Sequence, residues 1–375
     1  MAKKKKKKNQ IQIPIKYLIV LVIIVAVILI ICLCIPNVRT KLFEIASNFI
    51  EIETEDNNMS GGSGESSNTQ SGSQGGTSKF NSNEDGDMLA FITMIDVGQG
   101  DAIYIALPDG KDMLIDGGKN NNDAETLLMN YLQATVTDGF IDYVMLTHTD
   151  EDHCGGLDKV FAQFDVGAVY MPYISASYGQ DGAAYIKGTC STKVYYDFYT
   201  AAIGETYEKD GQTVSCAVNY NVDNFKIEGE NYSFDVYCKP QSEYEQYFYK
   251  SGSIDPNDFS PIMFLDVCGI KICFTGDANF GVEDDVMAKI AHNVDVDILK
   301  IGHHGSKTST DTDFIQFLTP EYGIVSAGEG NKYGHPTPEA LQRLEAENVT
   351  VYRTDISGDI TVKIYDDSYS FAFSK

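Results

Sequence analysis

The sequence is short of positive charge, with 28 lysine and arginine residues against 54 aspartate and glutamate residues. The imbalance is concentrated in residues 89–375, which hold 18 basic and 45 acidic side chains. Tight binding of a long nucleic-acid duplex depends mainly on neutralising its phosphates, so this composition disfavours a tightly held duplex as a partner. A bound divalent cation reverses the local field, so a metal-lined cleft for a smaller anionic substrate stays compatible with the composition.

The sequence also lacks any CxxC pair, which argues against a structural zinc site built from cysteine pairs. Eight cysteines are present, and two of them lie in an apolar segment near the N-terminus. The other six are an even number, which permits disulfides in an exported domain, but buried free thiols fit the pattern at least as well.

Residues 1–88 have the features of a membrane anchor and a linker. Six consecutive lysines, 3–8, precede an uncharged apolar run, 18–35, which is long enough to span a bilayer as a helix. The positive charge before this run predicts a cytoplasmic tail at 1–17 and an extracellular location for everything after the run. A cleaved signal peptide is the alternative, but the run is too long and no small-x-small site follows it. The composition of residues 36–88 predicts a juxtamembrane segment followed by a disordered linker rich in Ser, Gly and Asn. Because of the apolar run, the expected localisation is the cell membrane, with a single-pass anchor.

Residues 89–375 show the pattern of one mixed α/β domain. Apolar runs first pair through turn signals such as Pro108-Asp109-Gly110, and later alternate with amphipathic segments such as 122–132. This order predicts mixed sheets with helices packed outside them. Residues 170–256 are dense in tyrosine and have little sustained periodicity. Half-buried strand residues are favoured there over an aromatic platform for stacking bases.

Histidine is scarce, and five of the six histidines lie in three turns that follow apolar runs. The densest turn follows the run 143–146 and holds His148, Asp150, Asp152 and His153. The same order, an apolar strand followed by His or Asp beside Gly, recurs at Asp277, His303, His304 and His335. Strands of one sheet can bring such residues to a single edge, so the pattern predicts a metal site. A solvated polar loop is the alternative, and the density of metal-binding side chains argues against it.

These residues carry a family resemblance. His148-x-Asp150-x-Asp152-His153 is similar to the metal-binding signature of the metallo-β-lactamase superfamily, in which most members have His at the position of Asp150. With five further motifs, the sequence closely resembles the β-lactamase-like domain of ComEC-type competence proteins over about residues 90–365. Those motifs are Asp96-Val97-Gly98-Gln99-Gly100-Asp101, Asn257-x-x-Ser260, Thr275-Gly276-Asp277, Lys300-x-x-His303-His304-Gly305-Ser306 and Asn331-x-Tyr333-Gly334-His335-Pro336. The resemblance implies a four-layer αββα sandwich with a two-metal site on one edge.

The resemblance also implies roles for individual residues. The metal ligands would be His148 and Asp150 for one ion, Asp152 and His153 for the other, Asp277 as the bridging carboxylate and His303 as a further ligand. The residues that act on substrate would be Asp152, His304, His335 and Lys300, with ligation as an alternative role for His335. The supporting positions would be Asp96, Asp101, Asp116, Asn257, Ser260, Ser306 and Asn331. Because Asp116 ends a strand, it suits either support of a ligand histidine or a structural role in the turn that follows.

The predicted cofactors are two divalent metal ions, Zn²⁺ or Mn²⁺, with Mg²⁺ as an alternative. A carboxylate at Asp150 makes the ligand set harder than that of a three-histidine zinc site. The leading functional hypothesis is a phosphodiesterase or nuclease that acts on DNA or nucleotide-like phosphodiesters, with a DNA-uptake channel as a candidate partner. The alternatives are hydrolysis of an ester, lactone or β-lactam by the same site, and a catalytically inactive binding module on the same fold.

Overall fold

The computed structural model describes residues 88–176, 189–190, 192–246, 255–366 and 368–375. The predicted tail, apolar run and linker lie outside these ranges, apart from the last linker residue. Across the described residues, no helix has both the length and the apolar character needed to cross a membrane. The helix at Asn122–Thr135 has 14 residues, whereas a membrane span needs about 20. This finding contradicts the predicted localisation, in which the chain is a single-pass membrane protein with an extracellular domain.

The described part of the chain is a mixed α/β fold, as the sequence predicts. Its strands, in chain order, are β1 (Ala90–Met94), β2 (Ile103–Ala106), β3 (Asp112–Ile115), β4 (Phe140–Met145), β5 (Asp165–Met171), β6 (Ser175–Ala176), β7 (Thr189–Cys190), β8 (Thr206–Lys209), β9 (Gln212–Ser215), β10 (Ala217–Tyr220), β11 (Phe225–Gly229), β12 (Tyr232–Tyr237), β13 (Ile262–Val267), β14 (Ile270–Phe274), β15 (Ile298–Lys300), β16 (Tyr322–Val325), β17 (Thr350–Arg353), β18 (Ile360–Tyr365) and β19 (Ser368–Phe373). Its α-helices are α1 (Asn122–Thr135), α2 (Glu151–Cys154), α3 (Leu157–Gln163), α4 (Lys193–Gly204), α5 (Gln241–Gln246), α6 (Phe280–Ile290), α7 (Thr312–Leu318), α8 (Pro338–Ala346) and α9 (Thr354–Ser357).

Two large sheets carry most of these strands. The first has the order β10-β5-β4-β3-β2-β1-β18-β19, in which β10, β5, β4 and β3 run parallel and the remaining pairs are antiparallel. The second has the order β11-β12-β13-β14-β15-β16-β17, in which β14 to β17 run parallel. Each sheet therefore combines hairpin-linked strands with parallel strands, and the parallel half of each requires crossover connections.

Alternating side chains of the two sheets build three layers of core. Residues at every second position, such as Ile92 of β1 and Leu265 of β13, face one another between the sheets. The outer face of the first sheet packs against α1, α3 and α4, as Leu128 and Phe198 show. The outer face of the second sheet packs against α6, α7 and α8, for example through Phe314. The sheets thus lie between two layers of helices. A strand that is covered by a helix on one side and by the other sheet on the opposite side is buried on both faces.

Helix α1 offers a direct test of this packing, because two adjacent leucines differ in exposure. Leu128 is 0% exposed and Leu127 is 47% exposed. We expect Leu128→Ala to lower the free energy of unfolding by about 2–5 kcal/mol, since it removes buried methyl groups and leaves a cavity. Leu127→Ala should change it by less than about 0.5 kcal/mol. Urea denaturation of both variants checks this, and equal effects would contradict the assignment of the buried face.

The predicted elements agree with the structure where the pattern is strong. The helix predicted at 122–132 continues to Thr135, and the predicted strand 143–146 begins earlier, at Phe140. In the tyrosine-rich region, the described residues include two α-helices, α4 and α5, and several strands of both sheets. Tyr195 and Tyr244 are each 0% exposed, so these two rings are core residues and not parts of a stacking surface.

Candidate metal centre

The predicted site residues converge because they follow strands whose carboxyl ends share one edge. Asp116 follows β3, and His148 comes three residues after β4, in the first sheet. Asp277 follows β14, and His304 follows β15, in the second sheet. Parallel strands place their carboxyl ends together, and the two packed sheets bring their turns to the same edge. The turn after β4 is compact because Gly155 lies against backbone, where an added Cβ would come within 2.1 Å of Asn120 N.

The carboxylate of Asp277 lies at the centre of the cluster. Its Oδ1 is 3.2 Å from His153 Nε2, and its Oδ2 is 3.5 Å from both His303 Nε2 and His304 Nε2. His148 Nε2 is 4.0 Å from the same Oδ2. Four imidazole rings therefore direct the same type of nitrogen towards one carboxylate.

Three of these rings are held through the opposite nitrogen, Nδ1. His153 Nδ1 lies 2.7 Å from Asp116 Oδ2, and His304 Nδ1 lies 3.0 Å from the Ser326 carbonyl oxygen. His148 Nδ1 lies 3.0 Å from the hydroxyl of Thr147, which itself donates to Asp116. Because each partner oxygen can accept, each Nδ1 donates, and a neutral ring then keeps its lone pair on Nε2. The lone pairs of three rings are thus left available to a cation.

The Nε2 atoms of these rings have no hydrogen-bond partner within the described residues, although the rings are buried. His148, His153 and His304 are at most 1% exposed, and their Nε2 atoms are unpaired, as is Asp277 Oδ1. The 3.2 Å approach of His153 Nε2 to Asp277 Oδ1 lacks hydrogen-bond alignment. Buried polar atoms without partners are costly, typically about 1–3 kcal/mol each. Imidazole nitrogens and carboxylate oxygens are the donors that divalent transition metals take, so the residues fit a metal ion.

The electrostatics of the cluster agree with this fit. Burial, reinforced by the neighbouring His153, lowers the pKa of His148 well below its usual range, so that ring is neutral. Burial also opposes charge on His153, but Asp277 and Asp116 outweigh it and raise the pKa of His153. Burial acts against ionisation of Asp277, yet the surrounding histidines hold its pKa well below the usual range. The Asp277 carboxylate is therefore charged. The negative charge that favours a proton on His153 also favours a metal cation at the same place.

Asp116 supports two of the rings at once. Its Oδ1 accepts the Thr147 N–H at 2.8 Å, while its Oδ2 accepts the Thr147 hydroxyl at 2.8 Å and faces His153. Asp116 has a φ of 59°, a conformation that is unusual for a residue other than glycine. A carboxylate that orients a ligand histidine fixes its tautomer and raises its basicity. Asp116 thus both shapes its turn and orients His153.

A buried ion pair supports His304 from the other side. Lys300 Nζ lies 2.7 Å from Asp101 Oδ2 and donates to the Ile301 carbonyl at 3.0 Å. Asp101 Oδ1 lies 3.4 Å from His304 Nδ1. Burial opposes the charge on Asp101, but Lys300 and His304 outweigh it, and the pKa of Asp101 falls below its usual range. Lys300 is 0% exposed, so its ammonium group holds Asp101 and does not reach the open face of the site.

The turn after β15 holds an unusual backbone conformation. His303 and His304 have φ values of 47° and 53°, and Gly305 follows with a φ of 80°. A side chain at Gly305 would bring its Cβ within 2.5 Å of Pro336 Cβ. Non-glycine residues with positive φ cost about 1–3 kcal/mol each, and such strain concentrates at functional sites. Here the turn directs both imidazoles of consecutive residues towards Asp277.

The groups of side chains that are close enough to share an ion differ partly from the predicted ligand set. They are His148, His153 and Asp277; Asp152, His153 and His304; Asp101, Asp277 and His304; and Asp101, Asp116 and His153. His304, predicted to act on substrate, belongs to two of these groups. His303, predicted as a ligand, belongs to none, and 26% of its side chain is exposed. Asp150 also stays outside them, with its Oδ2 3.8 Å from His148 Nε2.

The supporting residues predicted from the sequence divide into two sets. Ser260 lies at the centre: its hydroxyl accepts the Asp277 N–H at 3.2 Å and is 3.3 Å from His148 Nδ1. Asn257 is buried, and its Oδ1 has no partner within the described ranges. Asp96 lies elsewhere and pairs with Lys375 at 2.6 Å.

The two remaining supporting residues act on loops. The Ser306 hydroxyl is 3.0 Å from that of Thr308, and Asn331 binds the backbone of its own loop. Thr147 and the Ser326 carbonyl, which hold the rings of His148 and His304, are not identified from the sequence. An apolar strand followed by Thr carries no signal that the hydroxyl will meet a carboxylate 31 residues away.

The mixed α/β fold and this cluster agree with a metallo-beta-lactamase domain, which the comparison with family models identifies in part of the chain. The family model for the metallo-beta-lactamase superfamily matches residues 95–207. The chain is 28% identical over 287 residues to ComE operon protein 3 of Bacillus subtilis (strain 168). This alignment covers 72% of this chain and 32% of that protein. It is 26% identical over 269 residues to competence protein ComA of Neisseria gonorrhoeae, covering 72% of this chain and 31% of that protein. The predicted resemblance to ComEC-type competence proteins is confirmed.

The chain spans about a third of the length of these curated relatives. Among solved structures, it is similar to the metallo-beta-lactamase fold protein YhfI from Bacillus subtilis, with 11% identity and a TM-score of 0.38. That alignment covers 70% of this chain and 95% of YhfI.

Proposed function

We propose that this protein is a metal-dependent phosphodiesterase that acts on DNA or nucleotide-like phosphodiesters through a site for two divalent ions. The observation that carries the proposal is the set of buried Nε2 atoms of His148, His153 and His304, unpaired and directed towards Asp277. His148, His153 and Asp277 would hold one ion, and Asp152 and His304 would contribute to the second. When bound, such ions lower the pKa of a coordinated water and stabilise charge on a phosphoryl oxygen.

Carboxylates make up a large part of the site, and this supports Mn²⁺ or Mg²⁺ beside Zn²⁺ as the ions. Asp152 and Asp277 supply hard oxygen donors, which suit Mn²⁺ and Mg²⁺ better than an all-histidine set would. Burial raises the pKa of Asp150 to about 6, with His153 opposing this shift and Asp152 reinforcing it. At neutral pH Asp150 is therefore mostly ionised, and it adds negative charge beside His148. The relatives named as competence proteins favour DNA over a lactam as the substrate class.

His335 is placed to bind substrate at the open side of the cluster. Its ring centroid lies 5.6 Å from that of His303 and 6.4 Å from that of His304. Burial and the two neighbouring histidines lower the pKa of His335 to about 4, so the ring is neutral at pH 7. A neutral imidazole donates one hydrogen bond and accepts another, so His335 would orient a phosphoryl oxygen or a water molecule.

The test is metal removal and replacement on the purified full chain. After chelation, Mn²⁺, Zn²⁺ or Mg²⁺ is returned, and single-stranded DNA, duplex DNA, bis-p-nitrophenyl phosphate and nitrocefin are offered separately. We expect the chelated protein to be inactive and a returned metal to restore cleavage of the phosphodiesters. Because the domain is acidic, single strands should be cleaved faster than duplex. Turnover of nitrocefin with every phosphodiester left intact would overturn the proposal, and no turnover with any metal would favour a binding module.

A further inference from the structure

Tyr333 leaves an aromatic ring in solvent at the edge of the metal centre. It lies between β16 and α8, and 51% of the residue is exposed. Most aromatic rings of the described chain are packed in the cores or on strands, where they avoid water. A single exposed ring is ordinary on a protein surface, so its position relative to the metal centre decides what it can do.

The ring of Tyr333 ends a row that begins inside the cluster. The ring planes of His304 and His335 are 30° apart with centroids separated by 6.4 Å. Those of His335 and Tyr333 are 26° apart with centroids separated by 5.8 Å. Three roughly parallel rings therefore lead from a buried candidate ligand to the solvent. A planar group that stacks on the exposed face of Tyr333 would be the fourth ring of this row, three ring spacings from His304.

The loop that carries Tyr333 is fixed before any ligand binds. The side-chain amide of Asn331 donates to the carbonyls of Gly328 and His335, and its oxygen accepts the N–H groups of Tyr333 and His335. Gly328 N–H in turn donates to Gln99 Oε1, which ties the loop to the turn after β1. A ring held in place by such bonds loses little conformational entropy on binding.

Positive charge accompanies the ring, although the domain is acidic. Lys332 Nζ lies 5.1 Å from the centroid of the Tyr333 ring. Lys332 is exposed and forms no ion pair with any residue that the structure describes. An exposed cation–π contact is weak, so the Lys332 ammonium can leave the ring for a nearby phosphate. Aromatic rings next to lysines are the combination with which proteins bind single-stranded nucleic acid.

We propose that Tyr333 and Lys332 form a binding site for one unpaired nucleobase and its phosphate, on the same strand as the phosphodiester that is cleaved. This proposal rests on the proposed function and specifies its substrate class as single-stranded or unpaired nucleotide. The base would stack on Tyr333, while Lys332 would contact the phosphate on the side away from the cluster. In a duplex the base is stacked and paired within the helix, so its face is not available to Tyr333.

A binding experiment tests the site without catalysis. The full chain is kept in chelator, and a short single-stranded oligonucleotide that contains 2-aminopurine is titrated with it. We expect stacking on Tyr333 to quench the 2-aminopurine fluorescence. Tyr333→Ala should abolish the quench and weaken binding about fivefold to 150-fold, the range that corresponds to loss of one stacked base. Tyr333→Phe should retain both, since it keeps the ring. Tyr207→Ala is the matched control, because Tyr207 packs against Phe140 at the opposite end of β4 from the site.

A kinetic experiment separates this proposal from the proposed function. With metal bound, kcat/KM is compared for a single-stranded oligonucleotide and for the same strand with abasic residues flanking the cleaved bond. The unaltered protein should prefer the intact strand, and Tyr333→Ala should lose that preference. Cleavage with the same preference in Tyr333→Ala would overturn the base site and leave the phosphodiesterase proposal standing. Absence of cleavage with any metal, together with a quench that depends on Tyr333, would overturn the enzymatic proposal and retain the base site.

Discussion

Replacing Asp277 by asparagine should remove both metal binding and hydrolysis. Among the residues that the structure describes, Asp277 is the one carboxylate that all four histidines of the cluster approach, at distances from 3.2 to 4.0 Å. The amide keeps the shape of the side chain but loses its charge, and at best one oxygen stays available as a donor. Loss of a residue that only orients a ligand typically weakens metal affinity 10- to 100-fold. Loss of the central ligand should exceed that range, to about a thousandfold, with hydrolysis falling at least as far.

The measurement is metal content after dialysis, by mass spectrometry, together with the rate of phosphodiester cleavage. Asp284→Asn is the matched control, because Asp284 is an exposed aspartate on α6 and makes no contact with the cluster. It should bind metal and cleave substrate as the unaltered protein does. Circular dichroism of both variants checks that each is folded. An Asp277→Asn protein that retains its metal and its activity would show that the centre is not built around this carboxylate.

The sequence predicts the location of this centre because its signal is local. An apolar run followed by His, Asp and Gly can be recognised within ten residues, and His148 and His153 belong to one such turn. The mixed α/β fold follows from the same short patterns, because hairpin turns and amphipathic helices are also local. Because these turns follow strands that end at the same edge of the sheets, the location of the centre can be predicted without knowing any long-range contact.

The division of roles between His303 and His304 cannot be predicted in this way. The two residues are adjacent, and a regular strand or helix would direct their rings to different sides. Their φ values of 47° and 53° turn both rings towards Asp277, and only the packing of the turn against Pro336 and β16 determines which is buried. Helix α4 is a similar case, because Lys193–Gly204 is rich in tyrosine and has weak intrinsic helix preference. Tyr195 and Phe198 become its buried face only through contact with the first sheet.

Lys300 shows most clearly what a local pattern leaves out. Its position three residues before His303 suggests a side chain that acts on substrate. Its partner, Asp101, lies about 200 residues earlier in the chain and in the other sheet's turns, so the sequence does not indicate the pair. The structure buries both side chains, at 0% and 1% exposure.

Lys300→Met should therefore lower the free energy of unfolding by about 3–5 kcal/mol, because it leaves the Asp101 carboxylate buried and unpaired. Asp101→Asn should destabilise the protein by a similar amount through the unpaired ammonium group. The double variant should lose clearly less than the sum of the two, since neither charge is then left alone. Lys300 helps to hold the pKa of Asp101 below its usual range, so this stabilisation is present at neutral pH and is lost as the solution becomes strongly acidic.

Urea denaturation of the two single variants and the double variant measures this coupling. The exposed pair Lys226 and Asp235, 3.2 Å apart with side chains 42% and 40% exposed, is the matched control. Breaking that pair should cost less than about 1 kcal/mol, because solvent screens it. A Lys300→Met protein with unchanged stability but no activity would instead return Lys300 to the role of a group that acts on substrate. Loss of stability with recovery in the double variant would identify Lys300 and Asp101 as a coupled buried pair, and Asp101, 3.4 Å from His304 Nδ1, connects that pair to the centre.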